Sequence, residues 1–107
     1  MNFTQLRFVK ATARLASFTK AAQFCNVTQP TLSNGVSKLE EELGEKIFER
    51  TTRTVSLTRF GESLLPTIIS VLSLEEMIYV NAKGFSNPET VVLKIALAYH
   101  QKGGQRI

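Results

Sequence analysis

The sequence contains no aspartate, one histidine, His100, and one cysteine, Cys25, among its 107 residues. A catalytic triad needs a histidine beside an acid and a nucleophile, and a usual metal site needs several clustered ligands. The adjacent carboxylates Glu75 and Glu76 diverge on a helix surface, which is poor geometry for shared catalysis. The composition therefore predicts that the chain is not an enzyme and carries no metal and no cofactor.

Long apolar runs are also scarce. No uninterrupted stretch approaches the roughly 18 apolar residues that a membrane-spanning helix requires. Polar residues such as Arg7 and Lys10 break the N-terminal segment, unlike in a signal peptide. We therefore expect a cytoplasmic protein that contacts no membrane. Cys25 cannot form an internal disulfide, and its apolar neighbours Phe24 and Val27 favour a packed residue over a redox-sensing thiol.

Positive charge is concentrated in one part of the chain. Residues 1–60 contain nine lysines and arginines and five glutamates, whereas four basic and four acidic residues cancel in 61–107. The whole formal net charge of +4 therefore lies in the first part. This asymmetry is typical of a nucleic-acid-binding unit followed by a neutral segment.

Two helices are predicted at the N-terminus. The first covers residues 3–16, and Ser17 is a suitable N-cap for a second, short helix over residues 18–24. Asn26 tolerates the left-handed conformation that a tight turn often needs. Helical spacing of apolar residues identifies the buried stripe of the first helix as Phe3, Leu6, Val9, Ala13 and Ala16.

A third helix follows the turn. Thr28 is its predicted N-cap, Pro30 falls in its first turn, and Gly44 ends it. Leu32, Val36, Leu39 and Leu43 recur at helical spacing and predict its buried face. Two short helices joined by such a turn make a helix-turn-helix motif, here over residues 18–37.

The next segment predicts a small β-hairpin. Ile47 and Phe48 are expected to anchor the chain to the core. Val55 and Leu57 then alternate with polar and β-branched neighbours, as in a short strand. Arg53 would lie at the tip of this hairpin, in the position of a wing.

A long linker helix is predicted after the wing. Thr58 caps it, Gly61 lies in its opening turn, and Pro66 should kink it or shift its start. The fold class is therefore all-α with a small β-hairpin wing, a winged helix-turn-helix followed by a linker helix. Its wide apolar stripe consists of Leu64, Leu65, Ile68, Ile69, Leu72 and Ile78.

Three regions follow from these patterns. Residues 1–60 are predicted to form the winged helix-turn-helix domain, and residues 58–84 the linker and dimerisation helix. Glycine, asparagine and proline in residues 84–88 predict a hinge. Residues 91–97 resemble a buried strand without partner strands, so residues 85–107 are interpreted as the hinge and the truncated start of another domain, or as a tail.

The order of these segments closely resembles the LysR-type transcriptional regulator family over residues 1–65. In that family a large two-lobed effector-binding domain follows the linker helix, and residues 91–97 look like its first strand. Most of that domain is absent, which implies an excised fragment or a truncated reading frame, and no small-molecule effector is expected for this chain. The matching strings are SFTKAA (17–22), VTQPTLS (27–33), LEEELG (39–44), IFER (47–50) and LT (57–58).

The third helix is predicted to read double-stranded DNA in the major groove. The Gln29 amide can form hydrogen bonds with adenine, and the Ser33 hydroxyl can donate a hydrogen bond to a base or accept one. The Pro30 ring or the Thr31 methyl group can contact a thymine methyl. The predicted DNA-binding residues are Lys20, Thr28, Gln29, Pro30, Thr31, Ser33, Asn34, Ser37, Lys38, Arg50, Arg53 and Arg59.

Two positions depart from many LysR-type proteins, which have an arginine in place of Asn34 and a larger residue in place of Gly35. Asparagine cannot make the fork-like contact of arginine to guanine, so we expect a preference for A·T at that position. Glycine costs about 1 kcal/mol of helix propensity relative to alanine. That cost is best explained if the backbone at Gly35 approaches DNA or another helix closely.

Cations of the helices and the wing are expected to contact phosphates, with Arg53 also able to enter the minor groove. Carboxylates facing DNA would repel it. We therefore expect the run Glu40, Glu41 and Glu42 to be a solvated face beyond the groove. The predicted phosphate ligands are Lys20, Lys38, Arg50, Arg53 and Arg59.

The linker helix is predicted to pair with its copy in a second chain, because its apolar surface is too large for a lone helix beside a small core. The resemblance implies an antiparallel homodimer, which would read an interrupted inverted repeat. Two alternatives remain: the stripe folds back onto its own domain, or the winged helix serves protein association without DNA. The predicted dimerisation residues are Leu65, Ile68, Ile69, Leu72 and Ile78.

Overall fold

The computed structural model describes residues 1–86. The predicted strand at 91–97 and His100 lie outside these residues. The order and type of the elements confirm the predicted fold, which is mostly helical with a hairpin wing and a long last helix. The elements are α1 (Phe3–Leu15), α2 (Phe18–Phe24), α3 (Gln29–Leu43), β1 (Phe48–Arg50), β2 (Val55–Leu57) and α4 (Arg59–Ser86).

Helix α1 begins at a capping box that the sequence patterns did not predict. The Asn2 side chain accepts from the Gln5 backbone N–H at 2.8 Å, and the Asn2 N–H donates to Gln5 Oε1 at 3.1 Å. The helix ends at Leu15, one residue earlier than predicted, because Ala16 adopts a left-handed conformation with φ 52°. The Ala16 N–H then donates to the Thr12 carbonyl at 2.8 Å.

The predicted buried stripe of α1 was partly wrong. Phe3 and Ala16 are exposed, whereas Phe8, Ala11 and Thr12 are buried with Leu6 and Val9. Thr12 is accommodated in the interior because its hydroxyl donates to the Phe8 carbonyl at 2.8 Å. The buried face is thus wider than apolar spacing indicated.

The caps of α2 and α3 confirm the predictions. Ser17 Oγ accepts from the Lys20 N–H at 3.1 Å, and Thr28 Oγ1 accepts from the Thr31 N–H at 3.3 Å. Asn26 in the turn between them has φ 60°. Gly44 ends α3 with φ 79°, a conformation that favours glycine because it has no Cβ.

The core lies where α1, α2 and α3 meet the hairpin and the first part of α4. Its fully buried apolar side chains come from α1, α2, α3 and the segment before β1. Ile47 and Phe48 are both buried, so they anchor the hairpin as predicted. The fully buried side chains include Val9, Leu32, Val36, Leu39 and Ile47.

Strands β1 and β2 form an antiparallel hairpin in which Phe48 pairs with Leu57 and Arg50 with Val55. Its tip, residues 51–54, is closed by a hydrogen bond from the Thr51 N–H to the Thr54 carbonyl at 2.9 Å. The two threonine hydroxyls also lie 2.7 Å apart. These bonds order the loop that carries Arg53.

Hydrogen bonds of Thr58 join the start of helix α4 to the segment just before β1. Thr58 Oγ1 accepts from the Gly61 N–H at 3.0 Å and donates to the Lys46 carbonyl at 2.6 Å. A Cβ on Gly61 would fall on the carbonyl oxygen of Ile47, so only glycine fits there. Pro66 lies inside the helix and does not shift its start.

The burial of α4 changes along its length. Residues Met1–Leu72 form one compact unit, which extends past the predicted domain boundary at residue 60. Ile68 and Leu72 are only 3% and 9% exposed, because they belong to the core of this unit. Their assignment to a dimer surface was therefore wrong, and for these two residues the alternative of folding back onto the domain is correct.

The second unit begins at Ser73, and its described part is the remainder of α4. The helix continues to Ser86, past the predicted end at residue 84. Leu74, Ile78 and Phe85 are 65%, 64% and 95% exposed. Their spacing of four and seven residues places them on one helix face.

By length and composition alone, α4 is also the one helix within residues 1–86 that could cross a membrane. The sequence contains no uninterrupted apolar run of this length, but α4 is apolar on average although Glu75 and Glu76 interrupt it. Core helices of soluble proteins can have the same length and composition, so these two properties alone do not indicate a membrane span.

Candidate nucleic-acid interface

Helix α3 presents one polar face to solvent along its first half. Its buried face packs Leu32 and Val36 into the core. Because the helix has 3.6 residues per turn, residues 30, 34 and 38 lie on the other side. The exposed predicted readers are Thr28, Gln29, Pro30, Thr31, Asn34 and Lys38, and Ser33 and Ser37 are half-buried at the edge of this face.

Hydrogen bonds order the first two turns of α3. Gln29 Nε2 donates to Ser33 Oγ at 3.0 Å, one turn further along the helix. This bond leaves the Gln29 carbonyl oxygen and one amide hydrogen available for a partner. Thr28 Oγ1 donates to Thr31 Oγ1 at 2.8 Å, so its hydroxyl acts mainly in capping.

Gly35 brings α3 close to α1. A Cβ at this position would lie 2.8 Å from Phe8 Cδ2, which is closer than real Cβ contacts, and 3.0 Å from Phe8 Cε2, which is closer than most of them. Of the two explanations offered for this glycine, the approach of another helix is therefore confirmed. The Phe8 ring occupies the volume that a side chain at residue 35 would need.

Four predicted phosphate ligands are exposed around this helix: Lys20 in α2, Lys38 in α3, Arg53 at the hairpin tip and Arg59 at the start of α4. Within residues 1–86, none of the four takes part in an ion pair. Their charges are therefore uncompensated by neighbouring carboxylates and available to an external anion.

Arg50, the fifth predicted phosphate ligand, is exposed but also makes contacts within the domain. Its guanidinium carbon lies 4.3 Å from the centroid of the Phe18 ring, and Nη2 lies 3.8 Å from Glu40 Oε1. Phe18 in turn meets Phe48 edge-on, with ring centroids 5.7 Å apart and an angle of 74°. Arg50 thus connects the hairpin to α2 and α3, which its position in the sequence did not reveal.

The assignment of Glu40 to a solvated face was wrong. Its side chain is only 3% exposed, and Oε2 accepts from the backbone N–H groups of Ile47 at 2.8 Å and Phe48 at 3.2 Å. These charge-assisted hydrogen bonds compensate part of the cost of burying a carboxylate. Glu41 and Glu42 are exposed, as expected.

Cys25 is half-buried against the core, in agreement with the expected structural role. Burial raises the pKa of its thiol, and the Arg7 guanidinium opposes this only in part. A raised pKa keeps the thiol protonated and poorly nucleophilic. In the portion of the chain that is described, no cluster of three potential metal ligands occurs.

Comparison with known proteins agrees with this geometry. A family model described as bacterial regulatory helix-turn-helix protein, lysR family, matches residues 3–62. The HTH-type transcriptional regulator BudR of Klebsiella aerogenes is 35% identical over 106 residues, which is 95% of this chain and 74% of BudR.

Solved structures are similar as well. Full-length OxyR from Pseudomonas aeruginosa matches with a TM-score of 0.78 and 42% identity over 81% of this chain and 30% of its own. The BenM DNA-binding domain in complex with benA site 1 DNA matches with a TM-score of 0.76 and 34% identity, over 81% of this chain and 98% of its own. The chain thus belongs to the lysR family of bacterial regulatory helix-turn-helix proteins, and residues 3–62 are its DNA-binding, transcription-regulating domain.

Proposed function

We propose that this chain binds a specific double-stranded DNA operator, with the first half of α3 in the major groove and the hairpin tip on the minor groove. The observation that carries the proposal is the solvent-exposed, hydrogen-bond-ordered face formed by residues 28–31 and Asn34, with Ser33 at its edge. Such a face fits the major groove. The likeness to a BenM domain in complex with DNA supports DNA binding.

The four exposed cations are proposed as phosphate contacts. Four such contacts in each of two protomers would neutralise about eight phosphates, and the slope of log K against log salt should be about −7. Fluorescence anisotropy of labelled promoter fragments, titrated between low and high salt, measures this slope. A flat dependence would refute phosphate contact, and absence of binding in dilute buffer would favour the protein-association alternative.

We also propose a homodimer through the distal half of α4. Leu74, Ile78 and Phe85 form an exposed apolar stripe on one face of the helix. A second copy packed against this stripe would remove its apolar surface from water. Ile68 and Leu72 are excluded from the proposed contact by their burial. Leu65 and Ile69 lie about half a helical turn away from the stripe, near the opposite face of α4, so they are excluded as well. A two-fold dimer would read the two halves of an interrupted inverted repeat.

The dimer proposal is tested by Ile78→Glu, which places a charge in the middle of the stripe. Light scattering at micromolar concentration should give the mass of two chains for the original protein and of one chain for the variant. Glu76→Ala, exposed on the other side of the helix, should remain dimeric. A monomeric original protein would refute the proposal and leave the apolar face for another partner.

The proposal involves no chemical step. The relatives are transcription regulators, and binding to chromosomal DNA would place the protein in the cytoplasm of a bacterium. We propose that the apolar residues of α4 within residues 73–86 contact a second copy of the chain and not lipid. Recovery of the intact chain in the membrane fraction would contradict both assignments.

A further inference from the structure

Glu40 closes a ring of contacts that joins three elements. Its Oε2 accepts from the Phe48 N–H, the Phe48 ring packs against Phe18, Phe18 stacks on Arg50, and Arg50 returns to Glu40 Oε1. We call these four residues the Glu40 ring. It includes one residue from α2, one from α3 and both ends of β1.

The carboxylate of Glu40 lies close to two cations. Oε1 is buried and has no hydrogen-bond partner in the described residues, so only two cations near it compensate its charge. Lys46 Nζ lies 3.9 Å away but its side chain is 78% exposed, whereas Arg50 is held against an aromatic ring. Arg50 is therefore the main partner, and a buried carboxylate loses much of its stabilisation without a paired cation.

We propose that Glu40 is a positioning residue for DNA binding, which holds the hairpin at a fixed place relative to α3 through Arg50 and the backbone of residues 47 and 48. This inference rests on the proposed function. A wing held in place before binding need not lose freedom when it contacts the minor groove. Glu40 thus favours DNA binding because it fixes the position of the hairpin, although its negative charge alone would repel DNA.

The test compares two isosteric variants of neighbouring glutamates. Glu40→Gln retains a carbonyl that can accept from the Ile47 and Phe48 N–H groups but loses the charge opposite Arg50. Glu41→Gln removes the same charge from an exposed side chain of the same helix. Any general effect of reduced repulsion from DNA therefore appears equally in both.

Hydroxyl-radical footprinting and anisotropy should separate the two variants. Glu40→Gln should weaken binding about tenfold, equivalent to about 1.4 kcal/mol, and lose protection at the flanks where the hairpin lies. Protection at the centre of each half-site, where α3 reads bases, should persist. Glu41→Gln should keep the original footprint and bind equally or more tightly. A Glu40→Gln footprint identical to that of Glu41→Gln would overturn the proposal.

Two further measurements show whether the effect passes through the ring. In an Arg50→Gln background, Glu40→Gln should remove no further flank protection, and an additive loss would overturn the route through Arg50. In the free protein, amide hydrogen exchange at Ile47 and Phe48 should be about tenfold faster in Glu40→Gln than in Glu41→Gln. Should Glu40→Gln fail to fold, Phe18→Leu keeps the apolar packing but removes the ring beneath Arg50, and should lose the same flanks.

The failure of the inference differs from the failure of the proposed function. If the original protein does not bind DNA, the function is wrong. If it binds and its flank protection survives Glu40→Gln, the function stands and the positioning role falls.

Discussion

The two ends of α3 lie in different environments. At its beginning, Gln29 and Asn34 face solvent, and their polar groups are ordered but not enclosed. Toward its end, Leu39 and Glu40 are enclosed on all sides, and even the carboxylate is bonded to the protein. The same helix therefore serves as a reading surface at one end and as an anchor at the other.

This difference separates two kinds of substitution. Changes at the anchoring end should alter stability first and binding only as a consequence. Changes at the reading end should alter base preference while the fold persists, because no core contact is lost. Residue 35 lies between the two, where α3 touches α1, and should show both effects.

The largest effect is expected for Leu39→Ala at the anchoring end. Leu39 is fully buried, and truncation of such a leucine costs about 2–5 kcal/mol, since a cavity remains. Chemical denaturation measures this loss. Leu43→Ala, four residues further on at a side chain 37% exposed, should cost under about 1 kcal/mol. Equal losses of stability in the two variants would show that Leu43 contributes to the core as much as Leu39 does.

Asn34→Arg should change specificity at the reading end by about 1–3 kcal/mol per base pair, because arginine can contact guanine through two hydrogen bonds. Selection of bound DNA should return A·T at this position for the original protein and guanine for the variant. The midpoint of thermal unfolding should not move. Gln23→Arg, which adds the same charge on the exposed surface of α2, should leave the base preference unchanged. An invariant guanine for the original protein would refute the prediction.

Gly35→Ala should destabilise by about 1–2 kcal/mol, because overpacking against Phe8 exceeds the gain in helix propensity. The smaller Phe8→Leu side chain should reduce this penalty, so the double variant should lose less than the sum of the two single changes. Denaturation of all four proteins gives the coupling. Strict additivity would mean that the two residues do not compete for space.

Thr28→Ala should cost about 1 kcal/mol, since the Thr31 N–H loses its side-chain acceptor. Thr28→Ser keeps the hydroxyl and should be nearly neutral. The comparison by thermal unfolding shows how much stability the reading end itself contributes. A loss as large as that of Leu39→Ala would remove the distinction between the two ends.

Local features of this fold were predictable from the sequence because their causes are local. Ser17, Thr28 and Gly44 cap the helix ends next to them. Asn26 adopts the left-handed conformation that its own turn requires. The alternation around Val55 likewise reflects the hairpin itself. Each depends on residues a few positions apart, which a linear pattern contains.

The errors concern residues whose environment comes from distant parts of the chain. Glu40 and Glu41 are adjacent in the sequence, but only Glu40 faces the backbone of residues 47 and 48. Ile68 and Leu72 belong to an apolar stripe that periodicity could detect but not assign to a partner. For Glu40, a carboxylate at the spacing of the buried stripe was the available signal.

The left-handed residue at the C-terminal end of α1 lowers the stability of this domain. Ala16 adopts φ 52° with a methyl group that disfavours it, at a cost of about 1 kcal/mol relative to glycine. The protein has therefore not exhausted the stability available to its backbone. A glycine at this site would supply a sturdier background in which damaging variants elsewhere could still be purified and studied.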